Sequence, residues 1–290
     1  DERANRFAHV LQQKGIGAGD HVGLYLFNGN EFLEAMLGTL KVRAVPININ
    51  YRYVEDELLY LFNDADLKSL VFQREYAGRV AAIAEKVPTL QQYIYVDDET
   101  KAEVGVFNGI EAIEYEAAVG AVTDQRDFEE RSGDDIFIVY TGGTTGMPKG
   151  VMWRHEDLFF AGLQGGNPGG EHHEKAEDLA ARVASGDSLC LNFLPAAPFI
   201  HGAAQWTAII GWFGAGKIVV VPGPSFDPTR VLETIEKEGV NTITLVGDAM
   251  ARPFADQVKN GDYDTSSLMV IVSAGAILSD SVKNEIQELL

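Results

Sequence analysis

Apolar positions along this chain recur with two periods, and the switch between them maps the elements. The opening "DERANRFAHVLQQKG" has the spacing of an amphipathic helix in progress. "HVGLYLF" (21–27) is a short β-branched and aromatic run that predicts a strand, and "EFLEAMLGTLKV" returns to helical spacing. The alternation continues through "AVPIN", a helix over "YVEDELLYLFNDAD", a strand at "SLVFQ", a helix at "REYAGRVAAIAEKV" and a strand at "QQYIYVD". Strands separated by helices of this length require crossover connections and hence a mainly parallel sheet.

Residues 98–132 break the pattern: they are acidic, turn-rich and weakly periodic, as a connection between subdomains would be. The alternation then resumes. "DDIFIVYT" (134–141) predicts a strand, "VMWRHEDLFFAGL" a helix, and "GGNPGGEHHEKAED" a polar surface excursion. Strand "SLCLNFL", helix "GAAQWTAIIGWFG", strand "KIVVVPG" and helix "DPTRVLETIEKEG" follow, the last with Asp227 as N-cap and Pro228 at its first position. Strand "TITLVG", a helix opened by Asp248 as N-cap, strand "SLMVIVSAG" and the amphipathic "SDSVKNEIQELL" close the chain. The expected fold is therefore α/β, with two adjoining doubly wound, mainly parallel subdomains over 1–132 and 133–290.

Composition narrows the partners. With 23 Lys and Arg against 43 Asp and Glu, the net charge is −20, a field that repels nucleic acid and anionic membranes. No apolar stretch is long enough to span a bilayer, and no signal peptide opens the chain, so a cytoplasmic enzyme is the expectation. Cys190 is the single cysteine and excludes an internal disulfide; its apolar neighbours predict a buried structural thiol. Asp1 in place of methionine and the helix running to Leu290 predict a piece of a longer protein.

Chemistry concentrates in "YTGGTTGMPKG" (140–150). Glycines and threonines behind a strand let backbone N–H groups and hydroxyls converge on an anion, and Lys149 adds a mobile charge suited to phosphate. A flexible surface turn is the plainer reading of a generic Gly/Thr cluster; this density behind a strand favours phosphate. A Walker loop is excluded by spacing. Met147 and Pro148 stand where its second glycine would be, Gly150 follows Lys149, and Pro148 has no N–H to offer.

"YTGGTTGMPKGV" closely resembles the signature of the adenylate-forming enzymes: acyl-CoA synthetases, peptide-synthetase adenylation domains and luciferase. The family's usual form has serine at Gly142. "LPAAPFIHGAAQW", "FDPTRVLETIEKEGVNTITLVG" and "SAGAILSDSVK" are similar to further family segments, and "VMWRHED" to a subgroup acting on sterol-derived or long-chain acids. The resemblance implies an ATP-dependent acid–thiol ligase that forms an acyl-adenylate from a hydrophobic acid and passes it to coenzyme A. It implies that Thr141, Gly142, Gly143, Thr144, Thr145, Gly146 and Lys149 hold the phosphates, with Thr144 and Thr145 nearest the Mg2+ ion. Gly275, Ala276 and Ile277 match the adenine-contacting stretch, although the family more often has proline at Ile277.

His201 matches the family's histidine at the mouth of the acyl pocket, against the plainer reading of a capping or packing residue. Phe199 and Trp206 are expected as pocket walls or core, and Val246 and Gly247 along the acyl channel, where a glycine would leave room for bulk. "GIGAGD" (15–20) is a helix end and turn rather than a dinucleotide fingerprint, and the adjacent histidines of "EHHE" do not share a helical face for a metal. The family's Tyr-Gly-x-Thr-Glu and Thr-Gly-Asp motifs do not occur before Leu290, nor does its C-terminal lysine domain. The resemblance thus implies a large N-terminal domain with the C-terminal domain absent, inactive alone. A peptide-synthetase-type adenylation domain, or a non-catalytic nucleotide- or acyl-binding module, remains compatible. A homodimer is also open to it.

Overall fold

Helix α1 (Glu2–Gln12) turns Phe7, Ala8 and Leu11 to a buried face, as its 3.6-residue spacing requires. In the computed structural model, which describes residues 1–142, 146–168 and 170–290, it belongs to the first of two units, Asp1–Leu158 and Phe159–Leu290.

The first unit alternates as the pattern requires: β1 (His21–Tyr25), α2 (Asn30–Lys41), β2 (Val45–Asn48), α3 (Glu55–Asp64), β3 (Leu67–Gln73), α4 (Ala77–Ile83) and β4 (Gln92–Val96). Residues 98–132 are more than a connection. They hold a two-stranded hairpin, β5 (Val106–Phe107) with β6 (Ile110–Glu111), then β7 (Ile113–Glu114) and α5 (Tyr115–Gly120). β7 adds to the edge of the main sheet beside β4, and Phe7 of α1 stacks on Tyr115 of α5. Burial of Phe107 and Tyr115 outweighs the acidic composition around them.

β8 (Ile136–Thr141) and β9 (Lys149–Arg154) complete the sheet in the order β7-β4-β3-β1-β2-β8-β9, with α6 (His155–Asp157) after them. Every neighbouring pair is parallel except β8 and β9. The helix expected over "VMWRHEDLFFAGL" is therefore corrected. Its first residues return antiparallel beside β8, Phe137 opposite Trp153 and Val139 opposite Val151, because β8 offers an open sheet edge whose unpaired backbone groups the returning chain satisfies. β9 and α6 fall within the first compact unit, which ends at Leu158.

The second unit carries α7 (Glu177–Ser185), β10 (Asn192–Pro195), α8 (Gly202–Phe213), β11 (Lys217–Ile218), α9 (Pro228–Glu238), β12 (Thr242–Leu245), α10 (Gly247–Asn260), β13 (Val270–Ser273) and α11 (Asp280–Leu289). Its sheet runs β11-β10-β12-β13, all parallel, over a core of Leu194, Leu232, Ile243, Leu245, Phe254 and Val282. Asp227 caps α9 by accepting the N–H groups of Thr229 and Arg230, and Gly239 ends that helix in the left-handed region.

One expectation fails here, and one helix has no counterpart in the sequence reading. The strand predicted over "SLCLNFL" begins only at Asn192, so Cys190 lies before it, exposed and at a φ of 47°. The polar run at 165–178 leads directly into α7, which the charged, alanine-rich "EDLAARVAS" forms without burying any residue.

Candidate functional site

In the first unit residues 142–148 connect two antiparallel strands at the carboxyl end of β8. Thr141 is the last residue of β8 and pairs in register with Lys149, the first of β9, so both exposed residues stand at the neck of the connection. Pro148 is buried beside them, which fixes the approach to Lys149. Gly142 and Gly146 flank the interior of the loop, and Gly143, Thr144 and Thr145, expected to hold phosphate, lie outside the described residues.

The neck is anchored from below. The buried Asn48 amide donates to the Tyr140 carbonyl at 2.9 Å and accepts the Tyr140 N–H at 2.7 Å. Tyr140 Oη donates to Asp64 at 2.8 Å, and burial first, with Asp64 adding to it, pushes the phenol pKa far up. At the other end of the hairpin Asp135 accepts from Arg43 at 2.8 Å. Burial raises the Asp135 pKa, but the Arg43 guanidinium and the Ser132 N–H outweigh it and hold the carboxyl low.

The second unit arranges its candidates along the carboxyl ends of three neighbouring parallel strands. After β10 the chain runs through Phe199, which is fully buried, to His201, the exposed N-cap residue of α8. Gln205 Nε2 donates to the Phe199 carbonyl at 2.6 Å and fixes that passage. Trp206 lies half-buried one turn into α8. The segments after β12 and β13 are knitted together. Gly247 N donates to Ser273 Oγ at 3.0 Å, Asp248 N to the Ile277 carbonyl at 3.0 Å, and Ser279 N to Asp248 Oδ1 at 2.8 Å.

That knit alters two readings. Val246, not Asp248, is the N-cap of α10; the Asp248 carboxylate receives the Ser279 N–H, which holds its pKa below the usual range. Gly247 leaves no room for a ligand on its side-chain face. Its φ is 48°, and a Cβ there would meet the Ile277 carbonyl at 2.5 Å and Ala276 Cβ at 2.8 Å. The glycine admits the 275–277 backbone instead. The structure thus brings Val246 and Gly247 against Gly275, Ala276 and Ile277, with the Ile277 side chain 86% exposed. Phe199 and His201 lie between β10 and α8, and Trp206 lies in the first turns of α8.

Asn48 and Tyr53 carry no functional signal in the sequence. Both lie in "PININYRY", which reads only as a strand and a run-up to α3, and their relation to residues 140–142 is set by strand order. The missing side chain at Gly142 was the one local signal that another group stands there. Among the described residues no group of three or more His, Cys, Asp or Glu is placed to hold a metal, and no helix is long and apolar enough to cross a membrane.

Parallel strands with glycine-rich or helix-opening segments at their carboxyl ends define an α/β protein, a class in which ligands bind outside those ends. The chain belongs to the AMP-binding enzyme family, whose profile matches residues 1–290. Over its full length it is 42% identical to the 3-oxocholest-4-en-26-oate–CoA ligase of Rhodococcus rhodochrous, covering 52% of that protein. It is 30% identical to the long-chain-fatty-acid–CoA ligase of Thermus thermophilus, over 95% of this chain and 46% of that one. Among solved structures, the anthranilate CoA ligase AuaEII with anthranoyl-AMP matches with a TM-score of 0.78 at 21% identity, over 99% of this chain and 51% of that one. The N-terminal domain of FACL13 from Mycobacterium tuberculosis matches with a TM-score of 0.74 at 24% identity, over 99% and 64%. The chain spans about half the length of the curated relatives it matches.

Proposed function

We propose that this chain is the phosphate-holding and acid-binding part of an acyl-CoA synthetase that activates a large apolar carboxylic acid. The observation that carries the reading is 42% identity along the whole chain to proteins named as coenzyme A ligases for a sterol-derived acid and for medium- and long-chain fatty acids.

In the first step the acid's carboxylate oxygen attacks the α-phosphorus of ATP, presented as its magnesium complex. The bond to the bridging oxygen breaks, and pyrophosphate leaves with the electron pair. The thiolate of coenzyme A then attacks the acyl carbonyl, and AMP departs. Catalysis of an in-line displacement rests on positioning and on charge neutralisation. Lys149 and the donors of residues 141–146 hold the departing pyrophosphate. Gly275, Ala276 and Ile277 form the adenine wall. His201 lies where the carboxylate reacts, and Trp206, Phe199 and Val246 shape the apolar side, Phe199 from within the core. The same reading puts the enzyme in the cytoplasm, where ATP and coenzyme A are supplied.

The test is acid-dependent exchange of labelled pyrophosphate into ATP by the full-length protein, across fatty, sterol-derived and aromatic acids. Exchange with large apolar acids supports the reading. Exchange with none of them overturns it.

A further inference from the structure

Gly142 occupies the position where the resembling family carries serine, and a neighbour already fills the space its side chain would need. A Cβ at Gly142 would lie 3.2 Å from Tyr53 Oη, closer than ordinary van der Waals contact. The phenol therefore stands at the neck of the loop, on the side from which a serine hydroxyl would have projected.

Tyr53 reaches that point from a turn between β2 and α3 that is held on several sides. Tyr53 N donates to the Asn50 carbonyl at 3.0 Å, and Arg52 N to Asn50 Oδ1 at 3.0 Å. The Tyr53 carbonyl accepts from Tyr25 Oη at 3.1 Å and from Arg79 Nη1 at 3.0 Å. Arg79 also donates to Tyr25 Oη at 3.1 Å and lies 5.2 Å over the Tyr76 ring. The Glu57 carboxylate on α3 accepts the Val54 N–H at 2.9 Å. The backbone of the turn is thereby fixed, and the ring carries its Oη to the Gly142 position. Burial, then the Glu57 charge, raises the phenol's pKa, so the hydroxyl keeps its proton at neutral pH.

We propose that the Tyr53 hydroxyl supplies the hydrogen-bond donor that Gly142 lacks and binds the terminal phosphates of ATP, the pair that leaves as pyrophosphate. This rests on the reading of residues 141–149 as a phosphate holder. A donor from a sheet-anchored turn, outside the loop, is pre-positioned in a way that a hydroxyl on the loop itself is not, and preorganised donors lose less on binding.

Calorimetric titration of the full-length protein with magnesium ATP, magnesium pyrophosphate and AMP separates the possibilities. Tyr53→Phe is expected to weaken ATP and pyrophosphate about tenfold or more, as loss of one hydrogen bond to a charged acceptor does, and to leave AMP unchanged. Tyr53→Phe combined with Gly142→Ser is expected to regain much of that affinity, since the serine then has space. If Tyr53→Phe leaves pyrophosphate affinity intact while Lys149→Ala weakens it, the role of Tyr53 is wrong and the loop reading stands. Equal weakening of AMP makes Tyr53 a structural residue only and overturns the proposal. If Lys149→Ala also leaves ATP and pyrophosphate untouched, the loop reading and the proposal fall together.

Discussion

The Asn48 side chain makes both backbone hydrogen bonds of Tyr140, donating to its carbonyl and accepting its N–H. Strands β2 and β8 share a single register pair, Ile47 with Ile138, so the amide extends their ladder to the residue before Thr141. A buried amide is used where the backbones have diverged beyond direct bonding. Asn48→Leu would keep the branched shape at a larger volume and strand two buried backbone groups, at about 1–3 kcal/mol each. A loss of about 2–6 kcal/mol is expected in urea denaturation, and a cost below 1 kcal/mol would show that Tyr140 finds other partners.

Gly247 makes a second, sharper prediction, because a neighbouring glycine serves as its control. Gly275 also has a positive φ, 83°, but a Cβ there would meet nothing nearer than Val246 Cγ1 at 3.8 Å. Gly275→Ala should therefore cost only the left-handed backbone term, about 1–2 kcal/mol. Gly247→Ala carries that term plus the collision with the Ile277 carbonyl and Ala276, and should cost clearly more. It should also speed proteolytic cleavage within 275–278. Equal costs for the two substitutions would mean that the knit between β12 and β13 relaxes freely.

The alternation of strand and helix was legible because burial on both faces of a parallel sheet demands near-continuous apolar runs, as in "GLYLF" and "TITL". The cap at Asp227 was legible because its chemistry is local. "VMWRHED" misled because amphipathic spacing over so few residues fits a strand and a helix alike, and only pairing with β8 decides between them. Cys190 misled because apolar neighbours do not bury a residue that precedes its strand. In the site, Thr141 and Lys149 were readable as a motif. Asn48 and Tyr53 were not, since each acts across 89 or more residues of sequence through the order of the strands.

Asp227 provides a local test of the second unit. Its carboxylate is aligned on the N–H groups of Thr229 at 3.0 Å and Arg230 at 3.2 Å, while Pro228 removes a donor that would otherwise be orphaned. Asp227→Ala is expected to cost about 0.5–2 kcal/mol and Asp227→Asn distinctly less, because asparagine retains the accepting oxygen. If alanine and asparagine cost the same, charge rather than hydrogen bonding would be the source.

His155 predicts a dependence on pH in the first unit. Its Nε2 is buried with no hydrogen-bond partner, and burial pulls its pKa below the usual 6.5; the Asp135 charge and a bond to the Ile136 backbone oppose this, and Arg131 adds to it. Folded His155 therefore binds a proton less readily than unfolded His155. Its contribution to stability is complete above pH about 6.5 and is lost as pH falls from there through the folded value. Asp135, held low by Arg43 and the Ser132 N–H, stays anionic across that window and loses its own contribution only at more acid pH. His155→Gln removes the titration while keeping a polar side chain. Denaturation midpoints measured from pH 7.5 down to 5 should fall less steeply for that variant than for the native chain, by at most about 1.4 kcal/mol per pH unit. Parallel slopes would mean that His155 is solvated and titrates normally in the folded protein.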